Sequence, residues 1–311
     1  MARLRTPVAP ASGDAASRRD LLVSGHINVD HFLRVDQFPA RDRTVPVVGD
    51  RTVLGGTAAT IARVAARYGV SVGLVSRLGE DFPPGFWRTL RAARIDLRGV
   101  ATVPGEPTPT CYILEDGHHA QRTLIQQGPM GSAEGALPPQ SVMNAYSWLH
   151  LTTGNPAWHL ALAEAAQRSG TRIAADPAQE IHYLWDRGTL RRLLGGAEIL
   201  FGNRHEIQRA VDLLGLRRPV DLLDHVPLVV RTEGRRGATA FSRVGTTEVV
   251  AKRPRRVASL VGSGDAFRGG FYAGWFAGED LSHCLTAGTR AAAHWIERGS
   301  EAFATSPALP R

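Results

Sequence analysis

The sequence predicts an α/β protein in which a mostly parallel sheet is covered by helices on both faces and a small β lid is attached. Three observations carry that prediction. Short apolar, β-branched runs alternate with stretches of helical apolar spacing, and strands joined by helices return parallel to one another. The runs are too apolar for half-exposed strands, so both sheet faces must be covered. Two further stretches break the rhythm and read as β-structure of their own.

Taken in order, residues 21–27 form the first buried strand, and residues 31–53 are the first irregular stretch. A helix follows over 57–68 and stops at Gly69, which suits a helix C-terminus because glycine tolerates a left-handed backbone. A strand at 70–76 and a helix at 84–94 come next. Residues 101–125 are the second irregular stretch, where Thr110-Cys-Tyr-Ile-Leu and Gln121-Arg-Thr-Leu-Ile flank the polar turn Asp116-Gly117-His118-His119. Each irregular stretch is expected to be antiparallel β-structure over the open sheet, as a lid. Strand 148–151, helix 157–169 stopped by Gly170, strand 172–176, strand 198–201, helix 203–214, strand 227–231 and helix 280–297 complete the pattern. One main domain is expected over 20–305, preceded by a disordered leader at 1–19 rich in Arg, Pro, Ala and Ser, a composition with little to bury.

At 311 residues and 43% hydrophobic, the chain can bury a sizeable core. Cys111 and Cys284 are too few for a disulfide framework and are not spaced as a zinc pair, which points to a reducing cytoplasm and inert thiols. There is no signal-like leader and no run of eighteen apolar residues, so no membrane is expected. A net charge of +8 raises the question of nucleic acid. The basic residues are scattered, however, clustering briefly at Arg217-Arg218, Arg235-Arg236 and 252–256 without an aromatic RNA motif, so no nucleic-acid partner is expected. Lys252 is the only lysine, and no phosphate-loop lysine motif occurs.

The most informative segment is Val261-Gly262-Ser263-Gly264-Asp265-Ala266-Phe267-Arg268. Gly262 and Gly264 allow a tight turn with successive N–H groups exposed, and the helix that follows directs its positive end at that turn, making a cradle for an anion. Asp265, in the first helical turn, is expected to stay ionised and to accept a proton from an attacking hydroxyl. A turn with Asp as a plain helix cap explains the same residues. Asn28 and Asp30 end the first strand, where ligands sit on an open parallel sheet, and suit the hydroxyls of a polyol. They equally suit a turn. Gly55-Gly56 opens the helix at Thr57 and permits close backbone approach to a ligand, although such a pair is ordinary punctuation. Asn203 and Glu206 lie one turn apart, fit for a hydrated Mg2+ or for a capping box. Thr232, Gly234 and Gly237 form a nucleotide loop or a hairpin turn.

In this order, Asn28-Val-Asp30, Gly55-Gly56, Asn203-x-x-Glu206, Thr232-x-Gly234-x-x-Gly237 and Gly262-Ser-Gly-Asp265-Ala-Phe closely resemble the ribokinase-like (PfkB) carbohydrate and nucleoside kinases, over about residues 21–300. The resemblance implies a three-layer α/β/α domain with a β lid, and phosphoryl transfer from ATP, or ADP, to a hydroxyl of a sugar or nucleoside, a ribofuranose-type acceptor being favoured. It implies Asp265 as base and Gly262, Ser263 and Gly264 as anion hole. Asn28, Asp30, Gly55, Gly56 and Thr60 would bind the acceptor, Asn203, Thr232, Gly234 and Gly237 the nucleotide, and Glu206 Mg2+ through water. Thr60 stands where the family commonly has Asn, and Ser259-Leu260 where it has Asp-Thr, which leaves potassium activation open. The segment from Asp176 to Gln179 and Arg268 are similar to nucleoside-kinase relatives.

A sugar- or nucleoside-binding regulator without catalysis is the alternative, suggested by Thr60, Ser259 and Leu260 and opposed by the intact Asp265. Trp148, Trp158 and Trp185 are expected in the core. Phe32, Phe38 and Tyr112 either stack on a base or pack within the lid, and His118-His119 reads as a solvated loop tip rather than a metal site. An exposed edge of the lid sheet offers a surface on which two copies would pair as a homodimer.

Overall fold

The computed structural model describes residues 18–118 and 120–299. The strands and helices follow in the order β1 (Arg19–Ser24), β2 (Asn28–Arg34), β3 (Gly49–Gly55), α1 (Thr57–Arg67), β4 (Val72–Leu78), α2 (Pro84–Ala92), β5 (Asp96–Thr102), β6 (Thr110–Glu115) and β7 (Gln121–Gln126). Then come α3 (Gln140–Asn144), β8 (Tyr146–Leu151), α4 (Pro156–Arg168), β9 (Arg172–Ala175), α5 (Arg187–Leu194), β10 (Ile199–Asn203) and α6 (Arg204–Leu214). The chain continues with β11 (Leu228–Thr232), β12 (Ala238–Ser242), β13 (Gly245–Val249), α7 (Ser263–Phe276) and α8 (Leu281–Arg298). Short 3₁₀ turns lie between several of them.

Nine strands form the large sheet in the order β13-β12-β11-β10-β9-β8-β1-β4-β5. From β11 to β5 every neighbour pair is parallel, and only β12 and β13 run antiparallel at one edge. Strand periodicity divides the core into two halves: Leu21 and Val23 face one side with Leu228 and Val230, while Leu22 faces the other with Val229. The first side packs against α1, α2, α7 and α8, and the second against α3, α4, α5 and α6. This is the three-layer arrangement expected from strands apolar on both faces.

The lid is a separate four-stranded sheet in the order β3-β2-β6-β7. Each irregular stretch is antiparallel within itself, β2 with β3 and β6 with β7, as expected. The two hairpins join through a parallel pair, β2 with β6, which was not foreseen. The lid begins at Asn28, three residues before the expected start, and residues 101 and 102 belong to β5 of the large sheet. Gly69 and Gly170 have φ of 88° and 65° just past α1 and α4, as helix-stop glycines should. Of the leader, residues 1–17 lie outside the described residues, and Arg19 already belongs to β1. Trp148, Trp158 and Trp185 are all in the core.

Candidate active site

The parallel strands end on one edge of the large sheet, where an open α/β sheet binds its ligands. There the lid overhangs a cleft of about 530 Å3. Into it the fold brings Asn28, Asp30, Gly55, Gly56 and Thr60 from the lid side, Asn203 and Thr232 from the ends of β10 and β11, Glu206 from the first turn of α6, and the turn Gly262, Ser263, Gly264 and Asp265 that opens α7. Twelve residues from distant segments thus share one space. Gly234 and Gly237 do not line it.

Gly262 caps α7 with φ 80°, a left-handed position that favours glycine. A Cβ there would also press on the Trp295 ring at 3.1 Å, so the turn rests on an aromatic floor. Asp265 is the third residue of α7 and keeps part of its surface on the cleft. Its charge is governed by enclosure rather than by the helix N-terminus, which corrects the expectation of a freely ionised group: burial, with Asp176, Glu206 and Asp30 nearby, pushes the carboxyl up to about 7, while Arg268 pulls the other way.

At the lid end Asp30 is 7% exposed and its Oδ1 has no hydrogen-bond partner among the described residues. Burial raises this carboxyl to about 7 as well. Asn28 donates from Nδ2 to Cys111 Sγ at 3.2 Å and leaves its Oδ1 unpartnered. Gly55 and Gly56 serve close approach, but what approaches is protein. A Cβ on Gly55 would lie 1.9 Å from Asp30 Oδ2, and one on Gly56 2.4 Å from the His26 carbonyl oxygen. The glycine pair therefore makes room for Asp30 and for the strand that carries it. Thr60 is buried in the first turns of α1.

Asn203 and Glu206 form the capping box of α6. Asn203 Oδ1 accepts from the backbone N–H groups of His205 and Glu206 at 2.8 and 3.0 Å, and the Asn203 N–H donates to Glu206 Oε2 at 2.6 Å. The box explains the spacing and still leaves both side chains on the cleft wall. Among the described residues no three His, Cys, Asp or Glu side chains gather into a metal cage. Magnesium carried on nucleotide phosphates needs none, because it keeps waters and takes one or two carboxylates, and Glu206 is a carboxylate that lines the cleft.

The segment from Thr232 to Gly237 is the hairpin turn between β11 and β12. Gly237, at φ 117°, could carry no side chain, since a Cβ would meet the Val249 carbonyl oxygen at 1.9 Å. The His118 N–H donates to Asp116 Oδ1 at 2.9 Å, and His119 lies outside the described residues. Phe32 lines the cleft beneath Arg51, whose guanidinium is 4.3 Å from the ring centre. Phe38 lies under Arg122, and Tyr112 stacks on His31 within the lid. Cys111 and Cys284 are buried, and burial pushes both thiols up to about 12, which makes them poor nucleophiles.

Sequence reasoning left four contributors without a role. Asp176, wholly buried at the end of β9, binds Arg268, whose Nη2 donates to Asp176 Oδ1 at 2.7 Å. Its position at a strand end, like that of Asn203, was the available signal. His26 and Glu180 also line the cleft. Glu180 accepts from Gln127 Nε2 at 3.0 Å and from the Gly154 N–H, and burial raises its carboxyl to about 7. His26 Nδ1 lies 3.9 Å from Glu180 Oε1, and burial lowers the imidazole to about 4, so it is neutral at physiological pH.

The pfkB family carbohydrate kinase model matches residues 18–308. A nucleoside kinase of Methanothermobacter thermautotrophicus is 33% identical over 272 residues, spanning 86% of this chain and 85% of that protein. An ATP-dependent ribose-1-phosphate kinase of Halopiger xanaduensis is 30% identical, spanning 85% of this chain and 88% of its own. The crystal structure of a nucleoside kinase from Methanocaldococcus jannaschii, an archaeal member of the ribokinase family, superposes with a TM-score of 0.80 at 25% identity, covering 91% of this chain and 93% of that one.

Proposed function

The chain belongs to the pfkB family of carbohydrate kinases and is a phosphotransferase acting on a hydroxyl; we propose that its acceptor is a nucleoside and its donor ATP with Mg2+. The observation that carries the nucleoside reading is the charge at the acceptor end of the cleft. Asp30 and Glu180 are both carboxyls, and His26 beside Glu180 is neutral. A neutral ribofuranoside can donate hydroxyl hydrogens to such a wall, whereas a sugar phosphate would be repelled once these carboxyls ionise. Relatives named nucleoside kinases support the same reading, and the ATP-dependent relative supports ATP as donor.

In this mechanism Asn28 and Asp30 hold ribose hydroxyls, and Asp265 takes the proton of the primary hydroxyl as its oxygen attacks the terminal phosphorus. The bond from that phosphorus to the bridging oxygen breaks and ADP leaves. The N–H groups of the Gly262–Gly264 turn stabilise charge on the moving phosphoryl group, the main route by which such enzymes lower the barrier. Asn203 and Thr232 face the nucleotide phosphates, with Gly234 and Gly237 shaping the hairpin beyond them. Mg2+ would neutralise phosphate charge, reached from Glu206 through water.

The lid supports a homodimer through its edge strand β7, where Leu124 and Ile125 are exposed; sedimentation of wild type against a Leu124→Glu variant tests it. Among the described residues no helix is long and apolar enough to cross a membrane.

A coupled assay of nucleosides, ribose, ribose-1-phosphate and fructose with ATP and with ADP tests the reading. The highest kcat/KM is expected for a nucleoside with ATP. Preference for ribose-1-phosphate would overturn the acceptor. Calorimetric sugar binding without any transfer would select the silent regulator.

A further inference from the structure

The buried charges behind Asp265 have no part in the mechanism above. Arg268 is 4% exposed, one helical turn beyond Asp265 on α7. A buried guanidinium is stable only when its charge and N–H groups are met. Asp176 meets two of its nitrogens, Nη2 through a hydrogen bond to Oδ1 at 2.7 Å and Nε through an ion contact with Oδ2 that makes no hydrogen bond. Nη2 also lies 3.8 Å from Glu206 Oε2. A Cβ built on Gly264 would stand 3.0 Å from the third nitrogen, Nη1. That arm therefore lies directly behind the glycine turn.

Asp176 is itself held. Its Oδ2 faces His150 Nε2 at 3.3 Å, and His150 Nδ1 shares a hydrogen bond of 2.8 Å with the hydroxyl of Tyr272. All three side chains are inaccessible to solvent. Tyr272 stands on α7 again, so the chain of contacts leaves the helix at Arg268, crosses the ends of β9 and β8, and returns two turns below Asp265. A ring closed in this way fixes both the rotation of α7 and the place of its first turn against the sheet.

We propose that Arg268, held by Asp176 and backed by His150 and Tyr272, is a positioning residue that holds Asp265 and the Gly262–Gly264 turn ready for phosphoryl transfer. The proposal rests on the assignment of Asp265 as base. The charged groups facing Asp265 are Arg268 from α7, Asp176 from the end of β9, Glu206 from α6 and Asp30 from β2. Arg268 is the one cation among them. Without it Asp265 would share its enclosure with three carboxyls and would hold its proton more tightly. Without Asp176, in contrast, a like charge is lost and Arg268 is released toward Asp265, so the proton is held less tightly. The two substitutions act with opposite sign, which a scaffold role alone does not explain.

The test is the titration of the Asp265 carboxyl in ligand-free protein by 13C NMR, the resonance being identified by its disappearance in Asp265→Asn. Arg268→Gln is expected to raise the midpoint by at least one pH unit, about tenfold less base at a fixed pH on the acid side. Asp176→Asn is expected to lower it. Arg268→Lys keeps the charge without the fork and is expected to leave the midpoint nearly unchanged while kcat falls more than KM rises. An unchanged midpoint in folded Arg268→Gln overturns the proposal, and if that variant does not fold, a midpoint in Asp176→Asn that is unchanged or raised does the same. The readout needs no substrate, so failure of the nucleoside assignment leaves it standing.

Discussion

The two ends of the cleft hold carboxyls that are alike in titration and opposite in company. Asp265 and Asp30 are both pushed up to about 7 by burial. Asp265 faces Arg268, and the frame around it is held within the protein: the guanidinium is bound by Asp176, the turn is seated on Trp295 and the helix is anchored to the sheet. Asp30 faces Asn28 and Cys111, with one oxygen unpartnered and no cation among the groups that set its titration. One end is preorganised within the protein. The other is incomplete, and a buried acceptor without a donor is costly until something supplies one. On this comparison the chemistry end should fail through kcat and the lid end through binding.

The largest expected effect is at the preorganised end. Asp265→Asn should lower kcat about 10²- to 10⁴-fold, the range for a positioned base, with KM for the acceptor nearly unchanged, as steady-state kinetics would record. In wild type kcat/KM should rise as pH increases through about 7, because the base must be ionised. Near-native turnover of the Asn variant would remove the distinction between the ends.

At the lid end Asp30→Asn should raise KM for the acceptor about 10- to 100-fold, matching hydrogen bonds to a charged group worth roughly 1.5–3 kcal/mol, with a smaller loss in kcat. Gly55→Ala should produce a similar defect without removing the carboxyl, because the new methyl displaces Asp30 Oδ2 from its place. Combining the two should add little to either alone, since both act through one side chain. Independent, additive losses measured in the double variant would mean that Gly55 serves the ligand directly.

The comparison also shows where a sequence carries its structure plainly. Apolar runs on strands and 3.6-residue spacing on helices record the two faces of the large sheet, so Leu21, Leu22 and Val23 announce both core halves. The motif residues at strand ends were legible because topology alone carries the ends of parallel strands to one edge. The charged ring was not. Asp176, His150, Arg268 and Tyr272 meet through distances set by how α7 packs on β8 and β9, and spacing along the chain contains no trace of the Asp176 partner 92 residues away. The parallel joining of the two lid hairpins was hidden for the same reason, because register across a non-local pair is decided by tertiary packing. The ionisation of Asp265 was misjudged because a helix N-terminus is visible in sequence and enclosure is not.

The smallest effect is the most direct comparison of the two carboxyls. A carboxyl whose folded pKa is raised from 3.8 to about 7 binds more protons folded than unfolded between those values, so its presence lowers stability progressively as pH rises through that window. Replacing either Asp by Asn removes the group, and the Tm of the variant relative to wild type should climb between pH 4 and pH 7 and level off above it, on the order of 2 °C for each kcal/mol relieved. In ligand-free protein the two climbs should be similar. Saturating acceptor without nucleotide should separate them: several hydroxyl donors satisfy Asp30 and favour its ionised form, so the climb for Asp30→Asn flattens or reverses, while that for Asp265→Asn, which receives the primary hydroxyl alone and already faces Arg268, flattens less. Calorimetric scans of the three proteins over this pH range provide the measurement. Equal flattening of both climbs would mean that Asp265 also waits for the ligand, and that the two ends differ less than their neighbours suggest.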